Sequence, residues 1–135
     1  MKKLVSWFCI IFIMFSLIGC GKNKDNISNL DLEDLKTSDN SNIRAEVKDY
    51  GEGNFGILAK LYRQKEDIDT STNELICEEY IRLKKLDLND DEKKVVENTF
   101  EAGSNYTLYK SSGKNEKALK SFEMNMQQLY ESLYK

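Results

Sequence analysis

Residues 89 to 113 read NDDEKKVVENTFEAGSNYTLYKSSG, and this stretch decides the fold. Asn89 is a side chain suited to capping a helix N-terminus. Glu92 stands three places on, where a capping box needs an acid to reach back. Behind the cap, Val95, Thr99, Ala102, Tyr106 and Tyr109 recur at steps of four, three, four and three. That spacing lays a single seam along one helix face. Gly103 lies inside the seam and costs about 1 kcal/mol relative to alanine, so a break in the helix is expected there if anywhere. Gly113 supplies a residue able to close the helix in the left-handed conformation.

Working outward, the last segment carries Ala118, Phe122, Met126, Leu129 and Leu133 at steps of four, four, three and four, flanked by Tyr130 and Tyr134. Upstream, Ser71 with Glu74 repeats the capping-box pattern. Ile76, Tyr80 and Leu83 follow on one face, with Leu75, Ile81 and Leu86 beside them. A first helix is expected after Asn54 as N-cap, with Phe55, Leu58, Leu61, Tyr62 and Ile68 in helical period. Ile43, Val47 and Tyr50 also sit at i, i+4 and i+7, but Gly51 and Gly53 interrupt them, so the helicity of residues 43–54 stays open. No strand-like alternation runs beyond a few residues. The expected fold is all-α: a small antiparallel helical bundle of three to four helices over residues 43–135, behind a flexible tether.

At 135 residues and 15.7 kDa the chain has room for one domain. Charged residues make up 32% and mean hydropathy is −0.59, so most of the chain belongs in water. Leu4 to Ile18 is the exception: it carries no charge, and Lys2 and Lys3 precede it. At about 15 residues it is shorter than the ~20 a spanning helix needs. It ends in Ser16-Leu17-Ile18-Gly19-Cys20.

The run Leu17, Ile18, Gly19, Cys20 resembles the lipobox of bacterial lipoproteins, Leu–x–small–Cys. The resemblance covers about 20 residues and speaks to targeting. It implies that residues 1–19 are a signal peptide cut between Gly19 and Cys20, and that the Cys20 thiol carries a diacylglyceryl group. The soft thiol can take a thioether-linked lipid, and the small Gly19 gives a peptidase access to the scissile bond. Two acyl chains hold a protein on a membrane stably where one does not. The expected address is therefore the extracytoplasmic face of the cell membrane. Residues 20–42, rich in Lys, Asn, Asp and Ser, read as the tether, with a helical turn or two near 29–36. Lysine outnumbers arginine 17 to 3, a bias typical of AT-rich bacterial genomes.

Loss of residues 1–19 removes two lysines and no acid, taking the net charge from −3 to −5. That balance argues against nucleic acid as a partner. The absence of histidine excludes a Ser-His-Asp triad, a Cys-His pair and histidine-ligated zinc. Cys77, the one thiol left besides Cys20, reads as a small buried hydrophobe. Asp87-Leu88-Asn89-Asp90-Asp91 matches the first, third and fifth positions of a calcium loop. The loop then fails, with Glu92 where Gly is needed and Asn98 where Glu is needed. Capping is the reading preferred here, and no metal or cofactor is expected.

Ser111 with Lys114, Ser132 with Lys135, and Ser38-Asp39-Asn40 spell elements of the S-x-x-K and S-D-N motifs. Their order is inverted, and eleven serines among so many lysines produce about 1.4 chance matches. Glu78 and Glu79 are adjacent on a helix and do not face each other as a catalytic pair. Lys84-Lys85 and Lys93-Lys94 are interleaved with acids and read as solvated faces. Tyr106, Tyr109, Tyr130 and Tyr134 form a candidate partner surface if the last two helices pair. The expected role is non-catalytic: a membrane-held helical module that binds a protein partner. The alternative is a small-ligand or cation-binding lipoprotein.

Overall fold

Arg44, not Asn54, marks the start of the first helix. The computed structural model describes residues 27–38 and 40–135. The expectations for residues 1–26, the lipobox included, and for Asp39 lie outside the described residues. Four helices follow: α1 Ala45–Gln64, α2 Thr70–Leu83, α3 Asp90–Ser111 and α4 Glu116–Tyr134. They alternate in direction. Asn73, Ile76 and Tyr80 of α2 meet Thr107, Gly103 and Glu97 of α3, and Tyr50 of α1 meets Ile76. Tyr106 of α3 stacks near Phe122 of α4, whereas Gly51 of α1 lies beside both Val95 and Leu133. The all-α bundle is therefore antiparallel between helices consecutive in sequence and between α1 and α4, whereas α1 and α3 run parallel, with Arg44 and Gly51 meeting Glu92 and Val95 in the same order.

Two corrections concern α1. Asn54 does not cap it; the Asn54 amide donates to the Tyr50 carbonyl at 2.8 Å inside the helix. Gly51 does not interrupt it either. A Cβ at Gly51 would stand 2.7 Å from Val95 Cγ1 and 3.1 Å from Leu133 Cδ1. Glycine here lets the α1 backbone press against α3 and α4, and the apolar area so buried outweighs its poor helix propensity.

Arg44 has no side-chain cap of its own. Its backbone N–H donates instead to Glu92 Oε1 at 3.0 Å, across 48 residues of sequence. Its guanidinium donates to both Glu92 oxygens, at 2.7 Å and 3.0 Å, and to the Asp87 carbonyl at 2.7 Å. The same carboxylate accepts the Asn89 N–H at 3.0 Å, while the Asn89 side chain accepts the Glu92 N–H at 2.9 Å. The expected capping box at Asn89 is therefore present. Its Glu92 arm, only 2% exposed, also ties down the start of α1.

The Ser71–Glu74 box is not formed. Asp69 caps α2, accepting from the Thr72 N–H at 2.7 Å and the Thr72 hydroxyl at 2.9 Å. Gly103 leaves α3 unbroken. It packs under Ile76, whose methyls would lie 3.3 Å and 3.4 Å from an added Cβ. Helix α3 ends as expected: Gly113 adopts a φ of 67° and the Lys114 N–H returns to the Tyr109 carbonyl. Every α4 seam residue, Ala118 through Leu133, is buried.

Beside that apolar seam lies a polar one. Asn125 donates to Asn98 at 3.2 Å and to Glu101 at 3.0 Å, and accepts from Asn105 at 2.9 Å. Such a buried amide chain tolerates one register of α3 against α4, because a slip strands its donors.

Residues 27–38 are not part of the expected flexible tether but are packed on the bundle. Ile27 is buried, and Leu30, Leu32 and Leu35 pack against the core. Arg63 holds this strap through the carbonyls of Ile27 and Leu30, and the Ser38 N–H donates to the Leu133 carbonyl. No helix forms over residues 29–36. Leu30, Leu32 and Leu35 have a ready apolar wall to cover, and the chain follows it through turns and bends in place of an isolated helical turn.

Three substitutions test this packing. Gly51→Ala should lower stability by about 1–3 kcal/mol in urea titration, because the neighbouring side chains must shift. Gly103→Ala, with a looser contact and a gain in propensity, should stay within about 1 kcal/mol of wild type. The Arg44 guanidinium holds the Glu92 carboxyl down to about 2 from an ordinary 4.5. The stability it contributes is complete above pH 4.5 and is lost as pH falls toward 2. Glu92→Gln should flatten that part of the stability–pH curve, read from thermal melts between pH 2 and 6.

Candidate functional site

The tyrosine quartet does not converge. Tyr106 is 1% exposed, and its hydroxyl donates to the Glu66 carbonyl. Its ring lies 5.0 Å from Phe122, centroid to centroid. Burial pushes its hydroxyl up to about 12, so it stays protonated. Tyr130 and Tyr134 sit further along α4 on Phe55, with centroids 6.2 Å and 5.4 Å away. At 1.5 Å per residue, Phe122 and Tyr134 stand about 18 Å apart along the helix. The quartet is thus two pairs with different neighbours, and Tyr106 belongs to the core rather than to a surface.

Other motif residues have structural tasks. The Asn89 amide donates to the Asn42 carbonyl at 2.5 Å while its oxygen caps α3, so it is committed on both sides. Ser111 and Ser132 hydroxyls donate to carbonyls of their own helices, Leu108 and Gln128. Glu79 is spent on Arg82, which also pairs with Glu46. Lys84 pairs with Glu97 at 2.5 Å. Cys77 is a free thiol and only half-buried, against the expectation of full burial. Leu75 and Ile81 of α2 stand 61% and 56% exposed.

Two concave sites stand out among the described residues. One, of about 760 Å³, brings Ser38, Asn40, Ser132 and Lys135 together with Asp91, Lys94 and Glu131 in a shallow groove of mixed charge. The other, of about 740 Å³, lies at the opposite pole, where α1 and α3 end and α4 begins. Its cations are Arg63, Lys65, Lys110 and Lys114; its one lining carboxylate is Asp67. Ser28, Tyr62, Tyr106 and Tyr109 complete much of the wall.

This second cleft is assembled from residues far apart in sequence. The strap supplies Ser28, and Arg63 reaches across to it. The Arg63 donors go to neutral carbonyls, so its charge is not cancelled. Lys110 donates to the Lys65 carbonyl at 2.7 Å and pairs with Asp67 at 3.2 Å. Among the described residues that is the ion pair of the cleft. Lys65 and Lys114 both occupy the left-handed region, with φ of 57° and 72°. A lysine there costs about 1–2 kcal/mol where glycine would cost little. Tyr62 donates to Glu123 at 2.7 Å, and burial with that bond raises its hydroxyl above the usual tyrosine range.

No pattern in the sequence groups these four cations. Arg63 with Lys65, and Lys110 with Lys114, are near in sequence, but no spacing rule links one pair to the other. Comparison of the chain with family models, curated proteins and solved structures found no match.

The left-handed lysines supply the test of this geometry. Lys65→Gly should raise stability by about 0.5–1 kcal/mol in denaturant titration, since glycine takes the same turn without the Cβ clash.

Proposed function

We propose that this chain is a bacterial membrane lipoprotein, fixed by a lipidated Cys20 to the extracytoplasmic face of the cell membrane. There it displays a non-catalytic helical bundle that acts by binding. The observation that carries the reading is the uncharged run from Leu4 to Ile18 ending in Leu17-Ile18-Gly19-Cys20. The fold is compatible with it: the described bundle needs no disulfide, leaving the Cys20 sulfur for the lipid. The engagement of Ser111 and Ser132 with helix carbonyls, together with the lack of histidine, supports binding over catalysis.

A second reading, a lipoprotein that takes a small ligand, draws support from the cationic cleft. The chemistry of that cleft selects an anion. A cation at residues 87–91 would have to displace Asn89 from its cap.

Cys20→Ala is expected to lose incorporation of a fatty-acid label and to accumulate as a precursor retaining residues 1–19. Intact-mass measurement of wild-type protein from bacterial membranes decides the matter. A bare thiol with the leader still attached overturns the reading.

A further inference from the structure

We infer that the cleft of Arg63, Lys65, Lys110 and Lys114 binds the phosphate of an anionic phospholipid headgroup, seating this pole of the bundle on the membrane. The inference rests on the lipid anchor at Cys20 proposed above. Three observations carry it, from reach, charge and backbone conformation.

The strap determines which pole faces the membrane. Residues 27–38 lie along the bundle, and Ile27 is clamped by Arg63 beside the cleft, with Ser28 in the cleft wall. Ile27 lies seven positions on from Cys20, and those seven steps, fully extended, span about 25 Å at most. A free tether reaching to residue 42 would have left either pole able to face the bilayer. The packed strap instead confines the cleft's pole to the neighbourhood of the headgroups.

Charge points the same way. The chain beyond residue 19 carries −5, so an anionic membrane repels it as a whole. Within the cleft, four cations face one carboxylate. Asp67 is taken up by Lys110, while Arg63 meets carbonyls only. A phosphodiester brings one negative charge and several acceptor oxygens, which suits lysine ammonium groups. The half-buried Tyr62 and Tyr109 in the cleft wall have the apolar body and polar tip of residues found at membrane interfaces.

Backbone conformation is the third. Lys65 closes α1 and Lys114 follows the Gly113 turn beyond α3, both in a region where glycine would be easier. Holding lysine at both positions, against that cost, places two ammonium groups at the mouth of one cleft.

Hydrogen-exchange mass spectrometry on the processed lipoprotein tests this, in phosphatidylglycerol and in phosphatidylcholine vesicles. Amides of residues 63–67 and 109–117 should exchange about fivefold more slowly in phosphatidylglycerol, and raised salt should erase the difference. A Lys65→Glu/Lys114→Glu variant should lose the protection. Lys65→Gln/Lys114→Gln, which removes charge without reversing it, should lose most of it. Thermal melts of each verify the fold. Equal exchange in the two lipids, or protection retained in both variants, overturns the inference. Inorganic phosphate giving the same protection in phosphatidylcholine overturns the headgroup as its source. The mass of the same samples reports the diacylglyceryl group. Its absence overturns the anchor and the cleft's role together; its presence with equal exchange overturns the cleft's role alone.

Discussion

Four hydrogen bonds converge on the carboxylate of Glu92, three from Arg44 and one from Asn89. Two helix N-termini meet there, each with backbone N–H groups that have no partner inside their own helix. One acid serves both. It completes the capping box of α3, and it substitutes for the side-chain cap that Arg44 cannot supply to α1. Because the group is buried, a poor geometry would leave a charge without solvent, so the carboxylate holds α1 and α3 in one relative position. Gly51 then brings the two helices into close contact about two turns along α1.

From that fixed pole the rest of the bundle follows. The buried amides of Asn98 and Asn125 set the register of α3 against α4, and Ile76 sits over Gly103 to lay α2 across them. The groove left along α1 and α4 is covered by residues 27–38, pinned near one end by Arg63 and at the other by the Ser38 N–H on Leu133. A segment rich in Asn, Asp and Ser thus becomes part of the folded body because its few apolar residues have somewhere to go. In the proposed arrangement this has a mechanical meaning. A domain on a long coil samples all orientations over its membrane, whereas one strapped close to its anchor presents a chosen end.

Helix identity was largely legible in the residues. The seams of α3 and α4 and the caps at Asn89 and Gly113 are local features: they depend on neighbours within a few positions, and the observed structure contains each. The errors fall where a distant partner decides. Asn54 is a good N-cap and Gly51 a poor helix residue, yet α1 begins ten residues earlier because Val95 and Leu133 reward glycine's missing side chain. Ser71 lost the α2 cap to Asp69, whose carboxylate reaches both the backbone and the hydroxyl of Thr72. The candidate surface of Tyr106, Tyr109, Tyr130 and Tyr134 failed for the same reason: helical spacing gives the face of a residue, not its height along a neighbour or how deeply that neighbour covers it.

By itself the sequence determined that this chain is helical and where three of its four helices lie; the resemblance of its first twenty residues to a lipoprotein leader is likewise carried by sequence alone. Periodicity, capping and hydropathy are properties of contiguous residues, so they survive without a fold. Only the tertiary structure decided that Glu92 joins two helix starts, that the strap is packed, and that Arg63, Lys65, Lys110 and Lys114 share one cleft. Those facts depend on side chains brought together across some 35 to 50 residues of chain, and such closeness arises from burial of the core between them rather than from any pattern along it.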